Sequence, residues 1–229
     1  MHGLGKPAFD LGHRGGSMAD LILWPCSAGK SGKQRSVPSG PKFETFLDED
    51  YARRLLDGRR IELDPCRNPC SISLPAIDLY SGHLYKVNGF REAIRTAIGQ
   101  GTDCLILSGG YGLIRADEEI QIYEKKIQDA RKWKKDSLLA SIFGNYLERR
   151  RPSRAFIALS RSTYGKVLFG DEIRLKFSLP PSLQLFVYFP DVPIGHSAEQ
   201  EVPKREGEAV RGLIENKMVP DSRWKRVGG

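Results

Sequence analysis

The sequence has no long apolar run. Nothing in it approaches the ~18 consecutive apolar residues of a membrane span. The longest such stretches, Leu21-Ile22-Leu23-Trp24 and Leu185-Phe186-Val187-Tyr188-Phe189, read as buried strands. Cysteine is scarce. Cys26, Cys66, Cys70 and Cys104 are too few to staple a secreted disulfide scaffold. The Cys-x-x-Cys pairs of zinc ribbons are missing as well. The four thiols therefore read as buried or loop residues, with no metal and no cofactor expected; a zinc site built from Cys26, Cys66 and Cys70 is the alternative. The first residues lack the apolar stretch of a signal peptide, so the cytoplasm is the expected compartment and no membrane partner is expected. Acidic residues are in deficit, 28 against 36 Lys plus Arg, which leaves a formal net charge of +8. That excess suits an anionic partner without identifying one.

What is present is enough for a folded domain. Of the 229 residues, 40% are hydrophobic, so a core can form and a disordered chain is excluded. Residues 1–17 are Gly-rich and aperiodic and read as a disordered extension or leader. Residues 18–229 read as one domain, because no hinge-like linker and no internal repeat divides them. Strands are expected at 19–24, 103–107, 154–159 and 183–189. Helices are expected at 43–56, 87–98, 133–151, 164–168 and 200–217, with irregular chain at 61–75 and an extended piece at 75–80. Apolar strands without internal alternation, separated by helices, predict an α/β fold: a mixed, mostly parallel sheet flanked by helices.

Four segments carry chemistry. Trp24-Pro25-Cys26-Ser27-Ala28-Gly29-Lys30-Ser31 follows a strand and holds Gly-Lys-Ser, but Trp24 stands where a phosphate-cradling loop needs its first glycine and Pro25 removes an amide donor. A looser anion site using Ser27 and Lys30 is expected instead, at a strand's carboxyl end. In Leu107-Ser108-Gly109-Gly110-Tyr111-Gly112, the glycines allow a sharp turn and a close approach to a ligand. Ser108 offers a hydroxyl and Tyr111 a ring to stack, with Asp117, Glu118, Glu119 and Tyr123 following. Asp78-Leu79-Tyr80-Ser81-Gly82-His83 joins a carboxylate to a histidine that reads as structural or exposed. Ser160-Arg161-Ser162-Thr163-Tyr164 follows the third strand, and Lys204 and Arg211 on the last helix could meet it over an anion.

Taken together, these segments resemble the YaaA family of peroxide-stress proteins and a related family of shorter bacterial and phage-associated domains. The resemblance rests on the run 21–30, on Gly82 and Tyr85, and on Leu107–Arg115 with Gln121 and Tyr123. It continues through Leu159, Ser160 and Tyr164 and into Lys204, Gly207, Arg211, Ile214, Glu215 and Asn216. Two departures stand out. The span between the first two motifs is short and rich in Pro and Cys where longer members carry a helix-hairpin-helix-like element, and Glu206 replaces a family arginine. The resemblance implies a compact α/β fold, association with DNA, and a link to oxidative stress and iron control.

Three functions are expected from this. The first is a nucleic-acid-associated protein of peroxide stress with a strand-end pocket for a nucleotide or base. In it Tyr123 and Trp133 would lie among Lys125, Lys126, Arg131, Lys132, Lys134 and Lys135 for stacking beside charge. The second is a hydrolase or transferase acting at an N-glycosidic bond. There Glu118 or Asp78 would steady a cationic transition state, and Ser108 and Tyr111 would hold base or sugar. The third is a nucleotide sensor without turnover. In each, Ser27, Lys30, Gly109, Gly110, Tyr123, Ser160, Tyr164, Lys204 and Arg211 would contact the anion or nucleotide.

Overall fold

A computed structural model describes residues 19–170, 179–190 and 197–227. The expected disordered extension at 1–17 lies outside the described residues.

Six strands form the main sheet: β1 (Leu21–Pro25), β3 (Asp103–Ser108), β4 (Gly112–Arg115), β6 (Arg154–Ala158), β7 (Gln184–Tyr188) and β8 (Lys225–Val227), in the order β4-β3-β1-β6-β7-β8. β1 pairs in parallel with β3 and with β6, and β6 in parallel with β7. β4 and β8 run antiparallel at the two edges. A two-residue pair, β2 (Leu74–Pro75) with β5 (Glu119–Ile120), lies apart.

The four parallel strands are apolar because both sheet faces are covered. Successive side chains of a strand point to opposite faces. Ile22 and Trp24 of β1 join Ile106 and Phe156 in one core, against α2 (Ala76–Leu79), α3 (Phe90–Gly99) and α7 (Ala198–Glu215). Leu21 and Leu23 join Leu105, Leu107 and Ile157 in the other, against α1 (Glu49–Glu62), α4 (Arg131–Lys134), α5 (Leu138–Arg150) and α6 (Lys166–Phe169). The two layers make one mixed α/β sandwich. No helix among the described residues is long and apolar enough to cross a membrane.

Several expected elements differ. Residues 76–79 form a helical turn, where an extended piece was expected. The helix expected at 43–56 divides into a 3-10 turn at Phe43–Phe46 and α1, which continues past Gly58 into the span read as irregular. Gly58 belongs in that helix because the Trp133 ring packs where a Cβ would stand. The long helix at 133–151 is broken by Asp136 and Ser137, both at positive φ (52° and 54°), so α5 leaves α4 at a new angle. The β6 strand is followed by a π-helical turn, Arg161–Gly165, before α6.

The order of the parallel strands creates one special place. The chain steps from β1 outward to β3, then returns to the opposite flank of β1 as β6. In such sheets ligands collect outside the carboxyl ends of the strands where the order reverses. Here that place lies between the ends of β1 and β6.

Candidate functional site at the carboxyl edge of the sheet

Two side chains meet across this reversal. Cys26 follows β1 and is held by its amide, which donates to the Leu107 carbonyl at 2.9 Å. Its Sγ lies 3.3 Å from the Tyr164 hydroxyl, carried by the π turn after β6. Burial and the neighbouring Cys26 keep the Tyr164 hydroxyl neutral, well above the usual tyrosine range.

On the β1–β3 side a hydroxyl network fills the space. Tyr80 and Tyr123 hydroxyls are 2.7 Å apart, and Tyr123 is 2.8 Å from Ser108 Oγ. Ser108 Oγ also accepts the Tyr111 amide at 3.0 Å. Burial raises the pKa of both tyrosines well above the usual range, so the network is uncharged. Lys30 covers it: its Nζ sits 4.2 Å above the Tyr123 ring, a cation–π distance, and donates to the Ala28 carbonyl at 3.2 Å. Burial lowers the Lys30 pKa, while Cys26, Glu124 and Cys66 pull it back up. Ser27 Oγ accepts the Gly82 amide at 3.0 Å and donates to the Gly29 carbonyl at 2.8 Å.

The segment from Ser27 to Gly40 is a strap laid over this network and fastened along its length. The Ser31 and Gly32 amides donate to the Leu79 carbonyl at 3.1 and 3.2 Å, and the Gly40 amide to the Asp117 carbonyl at 2.8 Å. Asp78 is the main anchor. Its carboxylate takes the Ser36 amide at 2.6 Å, the Val37 amide at 3.3 Å and the Ser36 hydroxyl.

On the β6–β7 side lies an open hollow of about 340 Å³ lined by Ser160, Arg161, Ser162, Lys166, Pro190 and Val202. Two cations and two hydroxyls at strand ends make it suited to an anion. Glu206 of α7, one helical turn past the lining residue Val202, is 1% exposed. Its Oε1 has no hydrogen-bond partner. Burial pushes this carboxyl well above the usual carboxylate range. Gly207 lets α7 sit this close to the Leu84–Lys86 turn, since a Cβ there would stand 2.8 Å from the Leu84 carbonyl oxygen.

The residues expected from the sequence are therefore only partly assembled. Ser27, Lys30, Tyr123, Ser108, Ser160 and Tyr164 do gather at the carboxyl edge. Glu118 does not. It lies near Arg115, beyond the far end of β3. Its carboxylate is taken by the Phe43 amide at 2.9 Å, the Arg115 amide at 3.2 Å and Arg59 at 3.3 Å. Asp78 is likewise occupied, by the strap. Both carboxylates expected to serve an N-glycosidic reaction thus hold the fold together. Tyr111 has its hydroxyl on the Gln121 amide at 2.9 Å and presents no stacking face. Gly109 and Gly110 do permit a close approach, but to the chain itself: added Cβ atoms would meet the Ile127 amide nitrogen at 2.9 Å and the Tyr123 ring at 2.7 Å. Tyr123 and Trp133 are fully buried and cannot stack on an external base. Lys204 and Arg211 line a separate groove of about 370 Å³ with His83, Lys86 and Glu208.

Lys166 and Glu206 were missed as site residues. Lys166 carries no motif, one residue past the turn. Glu206 had a legible signal: it falls on the apolar stripe of α7 with Ala209, Val210 and Leu213, where a carboxylate is out of place. All four cysteines are free thiols. Among the described residues, no group of three or more His, Cys, Asp or Glu is placed to hold a metal ion.

No curated protein matches this chain. Over residues 68–178 it is similar to a protein family described as a family of unknown function, DUF6884. That span carries Tyr80, Ser108, Tyr123, Ser160, Tyr164 and Lys166, and leaves out Cys26, Ser27, Lys30 and Glu206.

Proposed function

We propose that this protein binds a phosphate-bearing small molecule, a nucleotide, at the carboxyl edge of its sheet, and that binding rather than turnover is its basic act. The observation that carries this reading is the hollow of Ser160, Arg161, Ser162 and Lys166 on the β6–β7 side, next to the Cys26–Tyr164 contact that bridges the reversal of strand order. The phosphate would enter the hollow and take hydrogen bonds from the two hydroxyls and charge from Arg161 and Lys166. The rest of the nucleotide would lie toward Tyr164 and the rim formed by Ser27 and Lys30.

The test is calorimetric titration with nucleoside mono-, di- and triphosphates. Arg161→Gln and Lys166→Gln are each expected to weaken the best ligand about tenfold to a hundredfold, the loss of one charge-assisted contact. Nucleosides without phosphate should bind far more weakly. Equal affinity for nucleoside and nucleotide, or no effect of either variant, would reject the reading.

A second reading, association with nucleic acid, is favoured by the face where α1 packs on α4. Arg54, Lys132 and Lys135 line a small hollow there with Asp57 and Asp136, and Arg131 and Lys134 are exposed beside it. With its aromatic side chains buried, this face would contact phosphates only. Binding to duplex DNA should then weaken steeply with salt. Neutralising Lys132 and Lys135 together should reduce the log–log slope by about 2; a slope unchanged by that double variant would remove this face from consideration. The peroxide-stress setting implied by the sequence resemblance belongs to this second reading.

A further inference from the structure

We propose that the groove between the turn at 83–88 and α7 is a second ligand site, suited to a small organic molecule with a phosphate at each end and hydroxyls between. It stands independently of the anion hollow proposed above, with which it shares no lining residue.

The groove has two walls. Lys204, Glu208 and Arg211 recur at intervals of four and three residues, so they share one face of α7. His83 and Lys86 come from the turn opposite. Gly207 seats α7 directly on that turn. Arg211 is fastened across to it: its Nη1 donates to the Asn88 carbonyl at 2.7 Å, and its Cδ would lie 3.5 Å from a Cβ placed on Gly89. Its Nε is 3.5 Å from Glu215 Oε2 but makes no hydrogen bond. The guanidinium is therefore ordered before any ligand arrives, and less freedom is lost on binding. Lys86 and Lys204 are exposed, and neither ammonium has a hydrogen-bond or ion-pair partner among the described residues.

The arrangement of charge narrows the ligand class. Three cations face one carboxylate, so the ligand is an anion. Lys204 and Arg211 are separated by two helical turns, a rise of ~10 Å. Charge strung out over that length suits two anionic groups better than one. Glu208 stands between the two cations on α7, and among the described residues it forms no hydrogen bond or ion pair. An unbroken chain of phosphates would lay negative charge against this carboxylate and be repelled. A hydroxyl in the same place would donate to it. The volume of about 370 Å³ falls within the range of small-molecule sites, ~300–1,000 Å³. Phosphates at the ends with hydroxyls between satisfy all of these conditions.

The test is calorimetry with three probes: a hexose phosphorylated at both ends, the same hexose phosphorylated at one end, and inorganic tripolyphosphate. The bisphosphate should bind tightest, by about tenfold or more over the monophosphate, since it gains a second charge-assisted contact. Lys204→Gln and Lys86→Gln change exposed side chains and should fold normally. Each is expected to weaken the bisphosphate about tenfold. Glu208→Gln should weaken the bisphosphate and strengthen tripolyphosphate, because it removes both the acceptor and the repulsion. Arg161→Gln, in the other hollow, should leave bisphosphate affinity unchanged. Equal binding of bisphosphate and monophosphate, a wild-type preference for tripolyphosphate, or no binding of the bisphosphate would overturn the proposal. Bisphosphate binding lost in Arg161→Gln but intact in Lys204→Gln would overturn it too, and would place that ligand in the hollow. None of these results depends on whether nucleotides bind the hollow, which its own titration decides.

Discussion

Glu118→Ala should lower the stability of the protein by about 3–5 kcal/mol, the usual cost of removing one partner from a buried ion pair. In a domain of this size each kcal/mol shifts Tm by roughly 2–4 °C, so the melting temperature should drop by roughly 6–20 °C. The variant strips an acceptor from the Phe43 and Arg115 amides and leaves Arg59 without one of its carboxylates. Arg59 retains Glu44 at 2.8 Å and the carbonyls of Tyr111 and Leu113, so it is not abandoned altogether. The diagnostic point is what should not change. Below its melting temperature, the variant should bind nucleotide with wild-type affinity, because Glu118 is remote from the carboxyl edge. Denaturant unfolding alongside calorimetric binding separates the two. A stable variant that had lost ligand affinity would return Glu118 to the site.

Glu206→Gln should do the opposite above acidic pH and stabilise the fold. The direction follows from linkage. Burial raises the carboxyl's pKa in the folded protein above its unfolded value. Between those two values the folded state holds the proton and the unfolded state does not, so stability falls as pH rises. The favourable contribution is complete below the unfolded carboxylate pKa of ~4.3. It is lost progressively up to the raised folded value, at a rate of at most about 1.4 kcal/mol per pH unit. Glutamine cannot ionise and is spared that loss. Denaturant midpoints of wild type and variant should nearly coincide at pH 4.5 and separate as the pH rises above it, with the variant the more stable. Curves that stay parallel over that range would mean that Glu206 titrates alike in both states.

The two variants mark where sequence reasoning reached and where it stopped. The parallel strands were legible because burial on both faces turns each into an apolar run, as in 21–24 and 104–107. The edge strands β4 and β8 were not. Arg115, Lys225 and Arg226 interrupt them, and an edge strand has only one neighbour to satisfy. The helical turn at 76–79 is four residues long, too short to display a period.

At the site, hydroxyls and cations at strand ends were found because position relative to a strand can be read locally. Carboxylates were misread because their function depends on distant backbone. Asp78 binds amides 41 and 42 residues away, and Glu118 an amide 75 residues away. No spacing rule exposes such partners. The clue that could be read was the opposite kind, an acid on an apolar helix face, and it marks Glu206.

One absent side chain sets how closely the helix carrying that acid can sit. α7 rests against the 84–86 turn only because Gly207 brings no methyl group between them, and Val87 Cγ2 would be 2.9 Å from such a methyl. An alanine there would have to wedge the helix outward. How closely α7 seats on the rest of the fold is thus decided by a residue that contributes nothing but room.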